Sequence, residues 1–184
     1  METAKMQLTK TKLITFIALA AAIICVVGPL SIPLPISPVP ISLTILAIYI
    51  AVYALGMKWG LAACVIYILL GLVGLPVFSS FSGGAGKLLG PTGGYIFGYL
   101  FVAIFAGLFI DKFEKKPWMH VVGMVIGTAV CYAFGTIWLA IQASMTVEAA
   151  LWAGVIPFIP ADLVKIVIAL IIGPQLRKAI RRIR

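Results

Sequence analysis

Asp162 and Lys165 stand three residues apart in "PADLVK", between the apolar runs "AGVIPFI" and "IVIALIIGP". Either charge at the centre of a bilayer costs about 2.5–3.5 kcal/mol, so such residues face a bundle interior or a cavity rather than lipid. On a helix, positions i and i+3 project from one face. Pro160 suits a first helical turn, where its missing N–H is no loss, and Asp162 would then sit where the helix dipole favours an anion. The pair could bind a polar solute or form a structural ion pair. Alternatively, Asp162 could cap the helix while Lys165 reaches toward the interface. Gln142, at the end of the preceding apolar stretch, is a third polar group expected at similar depth.

A second stretch with chemical potential is "SSFSGGAGKLLGPTGGYIFGY", residues 79–99. Its serines, Ser79 and Ser82 among them, supply hydroxyls, and glycines such as Gly84 let backbone N–H groups approach a ligand closely. Lys87 adds a charge. The segment is expected to be a structured, ligand-facing turn. It is not a nucleotide loop: the phosphate-binding pattern needs glycine where Phe81 stands and Ser or Thr where Leu88 stands. No Ser–His–Asp set, carboxylate pair or metal-ligand spacing is visible. Cys25, Cys64 and Cys131 are isolated in apolar stretches, and His120 is the single histidine. No catalytic residue, metal or cofactor is expected, and the chain is not read as an enzyme.

The elements that must position these residues are membrane helices. Of 184 residues, 63% are hydrophobic and 10% charged, and mean hydropathy is +1.19; a soluble domain is about 25% charged. A single-domain, all-α polytopic membrane protein is predicted, a compact bundle of six transmembrane helices near 13–30, 41–56, 59–75, 91–110, 118–142 and 160–176. Proline and glycine punctuate most ends, with "GP" at 173–174 expected to close the sixth. The first run exceeds the usual apolar core of a signal peptide and is expected to be retained.

The net charge of +9 does not point to nucleic acid, because the basic residues lie between spans and at the termini. With the termini cytoplasmic, twelve of the fourteen Lys and Arg residues, from Lys5 to Arg184, fall on the inner side, with Lys87 outside and Lys165 in the membrane. The outer connections, 28–40, 76–90 and 143–160, are the long ones, which points to a ligand entrance there. The last is expected to hold a short interfacial helix anchored by Trp152. Small residues recur at four-residue spacing: Ala18 and Ala22, Gly94 and Gly98, Gly123 and Gly127. Each pair allows close helix approach, within the bundle or to another protein.

"PVPISLT", "GLVGLPVFSSFSGG", "GPTGGYIFGY" and "IPFIPADLVK" together resemble the BioY family, and the resemblance runs across all six spans. The family's members are substrate-binding S components of energy-coupling factor (ECF) transporters for biotin. The resemblance implies a six-helix protein of the cell membrane with a vitamin pocket open to the outside, capped by the loop between the first two helices. It also implies docking through small residues of the first helix, here Ala18, Ala21 and Ala22, on a transmembrane coupling subunit driven by two cytoplasmic ATPases, which hydrolyse the ATP.

Biotin carries a ureido group, an apolar bicycle and a carboxylate tail. Asp162 is expected to accept the ureido N–H groups while Lys165 neutralises it or donates to the carbonyl, and these roles can be exchanged. Tyr95 and Tyr99 would supply ring surface and hydroxyls, Gln142 a further polar group, and the 79–87 loop with Lys87 a site for the tail. A proton-coupled secondary transporter using Asp162 is the alternative; the lack of inverted halves and of a second buried carboxylate weighs against it.

Overall fold

The computed structural model describes residues 10–35 and 37–183. In chain order, these form helix α1 (Lys10–Val27), strands β1 (Ser31–Leu34) and β2 (Ser37–Ser42), and helices α2 (Thr44–Leu55) and α3 (Met57–Leu72). A short 3-10 turn at Ser79–Phe81 and helix α4 (Ala85–Leu89) follow. The chain then continues through α5 (Gly93–Lys112), α6 (Pro117–Gln142), α7 (Val147–Gly154) and α8 (Ile159–Ile183). The all-α membrane fold is as predicted: α1, α2, α3, α5, α6 and α8 occupy the six apolar stretches. Among the described residues, α1, α5, α6 and the run containing α8 are long and apolar enough to cross a bilayer, whereas α2 and α3 are shorter. A helix apolar all round belongs inside a bundle; α2, with buried residues on every face, is the central element, flanked by α1, α3, α5 and α8.

Several boundaries depart from expectation. Helix α1 stops at Val27 rather than at residue 30, because Pro29 disfavours helical backbone at Gly28. Helix α8 does not close at Gly173–Pro174 but runs on to Ile183. Gly173 is there for packing: a Cβ at that position would lie 2.3 Å from the Tyr53 ring. Beyond Pro174, the helix is held by ion pairs. Arg177 Nη2 lies 2.8 Å from Asp111 Oδ1 at the end of α5, and Arg181 pairs with Glu114 in the α5–α6 turn. Asp111 also accepts the Met57 N–H at 2.7 Å, which ties the α2–α3 turn into the same cluster. Of the charges used to predict orientation, Lys5 and Arg184 lie outside the described residues.

The 28–40 connection, predicted as a loop, is an antiparallel hairpin with Ser31 opposite Ser42 and Ile32 opposite Ile41. The alternation in "SIPLPISPVPIS" is a period-2 signal that prolines obscure. The short helix expected in 143–160 is α7; the Thr146 hydroxyl caps it by accepting from Ala149 N at 3.2 Å. The glycine pairs seam α5 to α6. A Cβ at Gly98 would lie 2.6 Å from Cys131 Sγ, and one at Gly123 would lie 2.4 Å from Phe109 Cβ.

Candidate functional site

The first turns of α8 present two very different faces. Leu163 and Val164 are 54% and 58% exposed, whereas Asp162 and Lys165 are 4% and 5% exposed. The i, i+3 spacing turns both charges inward, and Lys165 Nζ donates to Asp162 Oδ1 at 2.6 Å. The other carboxylate oxygen, Oδ2, accepts a hydrogen bond from the Tyr132 hydroxyl of α6. Two donors from two helices therefore hold one buried carboxylate.

Above this trio lies a cavity of about 40 Å³. Its ceiling is the hairpin, through Val39, Pro40 and Ser42. Its walls are Ile45 of α2, Tyr95 and Tyr99 of α5, Cys131 and Tyr132 of α6, Gly154 of α7, and Phe158. Tyr95 is fixed by donating to Gly154 O at 3.1 Å, with Thr136 Oγ1 at 3.4 Å. This position requires glycine on two sides: a Cβ at Gly135 would lie 2.3 Å from the Tyr95 ring, and one at Gly154 would lie 1.9 Å from its hydroxyl. The ceiling is pinned to α7 by Ser37 Oγ, which donates to Ala153 O at 2.6 Å. At its root, Ser42 Oγ donates to Gly28 O at 3.1 Å and lies 2.6 Å from Thr44 Oγ1.

Asp162, Lys165, Tyr95 and Tyr99 are thus brought to one cavity. The other predicted binding residues are not. Gln142 is exposed at the last turn of α6, beyond the point where α7 closes the wall. Ser79, Ser82, Gly84 and Lys87 do not line the cavity; their segment folds on itself and against α3 and the hairpin. Ser82 Oγ donates to Ser79 O at 2.7 Å, Gly84 N donates to Gly71 O at 2.7 Å, and Ser80 N lies 3.1 Å from Pro29 O. Lys87 is half-buried on α4, and burial draws its pKa below the ordinary lysine value.

Tyr132, Val39, Pro40 and Phe158 also line the cavity, although the sequence does not single them out. A tyrosine within a membrane span needs a partner for its hydroxyl, which was the one available signal for Tyr132.

The remaining predicted residues lie elsewhere. Ala18 and Ala22 are exposed in an apolar groove of about 630 Å³, between the Ile14–Val26 face of α1 and Ala62, Ile66 and Leu70 of α3. Ala21 lies at its floor, 2% exposed.

The cavity offers a carboxylate acceptor, an ammonium donor, phenol groups and apolar walls. This set suits recognition of a small solute that has both N–H donors and a carbonyl.

A model described as the BioY family matches residues 1–182 of the chain. A Thermotoga maritima protein named biotin transporter BioY is 40% identical over 147 residues, covering 80% of this chain and 86% of that one. A Pyrococcus horikoshii protein named probable biotin transporter BioY is 36% identical over 168 residues, covering 91% and 98%. The crystal structure of the S-component for biotin from an ECF-type ABC transporter superposes with a TM-score of 0.86. It shares 31% identity and covers 94% of this chain and 95% of its own.

Proposed function

The chain belongs to the BioY family, and from that membership we propose that it captures biotin outside the cell and delivers it inward as the S component of an ATP-driven importer. Its role is transport rather than catalysis. The observation that carries this reading is the Tyr132–Asp162–Lys165 trio under the hairpin. Asp162 accepts the ureido N–H groups, Lys165 donates to the ureido carbonyl, and Tyr95 and Tyr99 lie against the bicycle. A ligand lacking the ureido nitrogens would forgo the bonds to these charged groups, a loss of about 1.5–3 kcal/mol for each bond.

The hairpin end of the bundle faces outward in this reading, and the basic end, with Lys112, Lys115, Lys116 and Arg177, faces the cytoplasm. The present cavity of about 40 Å³ holds a few waters, not a bicyclic vitamin. Ligand entry therefore requires the hairpin to lift away from α7. The loaded protein docks through the Ala18–Ala22 groove on a membrane coupling subunit, and two partner ATPases supply the energy.

Uptake of labelled biotin into vesicles tests the scheme. Uptake should require the coupling subunit, the ATPases and ATP. Ala18→Trp and Ala22→Trp should abolish uptake while leaving biotin binding intact. Uptake by this chain alone, driven by a pH gradient, would replace this reading with that of a secondary transporter.

A further inference from the structure

We propose that Tyr132 is the positioning residue of the ligand site, and that its ring is the wall between the ligand cavity and a separate lipid-facing crevice. This inference rests on the reading of the cavity as a biotin site. Tyr132 and Asp162 line both spaces. The crevice, about 160 Å³, opens between α6 and α8 and is bounded by Val125, Ala129, Ile159 and Leu163. Val125, Ile159 and Leu163 are all exposed, so the crevice mouth faces hydrocarbon in a bilayer. Thr128 also borders it, but its hydroxyl donates to Met124 O at 2.9 Å and lies 2.6 Å from the Tyr49 hydroxyl. The crevice thus offers a ligand little beyond apolar surface.

Helix α6 runs along α5 for most of its length and meets α8 only sparingly. Among the described residues, the bond from Tyr132 to Asp162 is the one side-chain hydrogen bond between α6 and α8. It has two consequences. With Lys165 on Oδ1 and Tyr132 on Oδ2, the carboxylate cannot turn freely, yet each oxygen keeps a lone pair for an arriving N–H donor. The ring itself fills the gap that would otherwise join the cavity to the crevice. Without it, the cavity and the crevice would be continuous, and the carboxylate would lose its partner on Oδ2 in surroundings that it tolerates only when paired.

The test is titration of the full-length protein in nanodiscs with biotin and with a biotin methylated on both ureido nitrogens. Tyr132→Phe keeps the wall and loses the hydroxyl. It should weaken biotin binding roughly 3- to 10-fold, as expected when a side chain must be ordered on binding rather than beforehand. Binding of the methylated ligand, which presents no ureido N–H to Asp162, should fall far less. Tyr132→Ala should lose more affinity for biotin, and Ala129→Phe in that background should recover part of it by refilling the wall.

Equal losses for both ligands in Tyr132→Phe would reduce Tyr132 to general structural support, and unchanged biotin affinity would remove the positioning role altogether. If Tyr132→Ala fails to fold, the Phe variant alone decides. Failure of the unaltered protein to bind biotin would instead strike the underlying assignment.

Discussion

Lys165 Nζ and Asp162 Oδ1 are 2.6 Å apart on the inward face of a helix whose outward face is apolar and exposed. A buried ion pair is a weak stabiliser, because removing both charges from water costs about as much as their attraction returns. The binding role proposed for the pair rests instead on its place at the floor of a cavity. It follows that stability and binding can be separated by substitution.

Single substitutions at the pair should be severe. Asp162→Ala or Lys165→Ala strands the remaining charge, which costs about 3–5 kcal/mol of stability. The double change Asp162→Leu with Lys165→Met should restore most of that stability without restoring biotin affinity. Thermal unfolding in detergent, measured beside ligand titration, checks this. Recovery of binding in the double variant would show that the charges do not contact the ligand.

The glycines around Tyr95 should affect binding, whereas Gly173 should affect only stability. Gly135→Ala and Gly154→Ala drive a methyl group into Tyr95, and Gly173→Ala drives one into Tyr53. Overpacking of this kind costs about 1–3 kcal/mol. Biotin affinity should fall in the first two and hold in the third. Gly86→Ala, with nothing within 4 Å of the new methyl group, should change neither.

Releasing the hairpin should speed exchange in both directions. Ser37→Ala removes the 2.6 Å bond to Ala153 O that holds the ceiling to α7. A hydrogen bond of this kind is worth about 1 kcal/mol, so biotin association and dissociation rates should both rise several-fold, with little change in affinity. Stopped-flow measurement would show this; unchanged rates would place the ligand's route elsewhere.

The charge cluster at the far end should be independent of the ligand. Arg177→Met unpairs Asp111 and weakens the tie between α8, α5 and the α2–α3 turn. Because Asp111 and Glu114 are partly exposed, the loss of stability should be about 1 kcal/mol and smaller at high salt. Denaturation midpoints at two ionic strengths check the salt dependence, and biotin affinity should not move.

Much of the fold was legible because hydrocarbon imposes a simple rule on composition: apolar runs become helices, and a charge inside one must turn inward. The inward turn of Asp162 and Lys165 was therefore legible from their apolar flanks and three-residue spacing, and Tyr95 and Tyr99, expected from resemblance to the family, line the same cavity. What stayed hidden depended on contacts between distant segments. Tyr132 meets Asp162 only once α6 and α8 are side by side, thirty residues apart in the chain. The Ser79–Lys87 segment looked like a ligand loop because glycine and serine expose polar groups, yet those groups are consumed within its own turn and against Gly71. The hairpin was masked by its prolines. Gly173–Pro174 resembled a helix end although the glycine is needed against Tyr53.

The most direct test of the central claim is calorimetric titration of the purified full-length protein with biotin, beside Asp162→Asn, which keeps the shape of the side chain and removes its charge. The unaltered protein should bind biotin saturably, one per chain. The variant should lose most of that affinity, with helical content retained by circular dichroism. Equal affinity in the two proteins, or no binding by either, would contradict that claim.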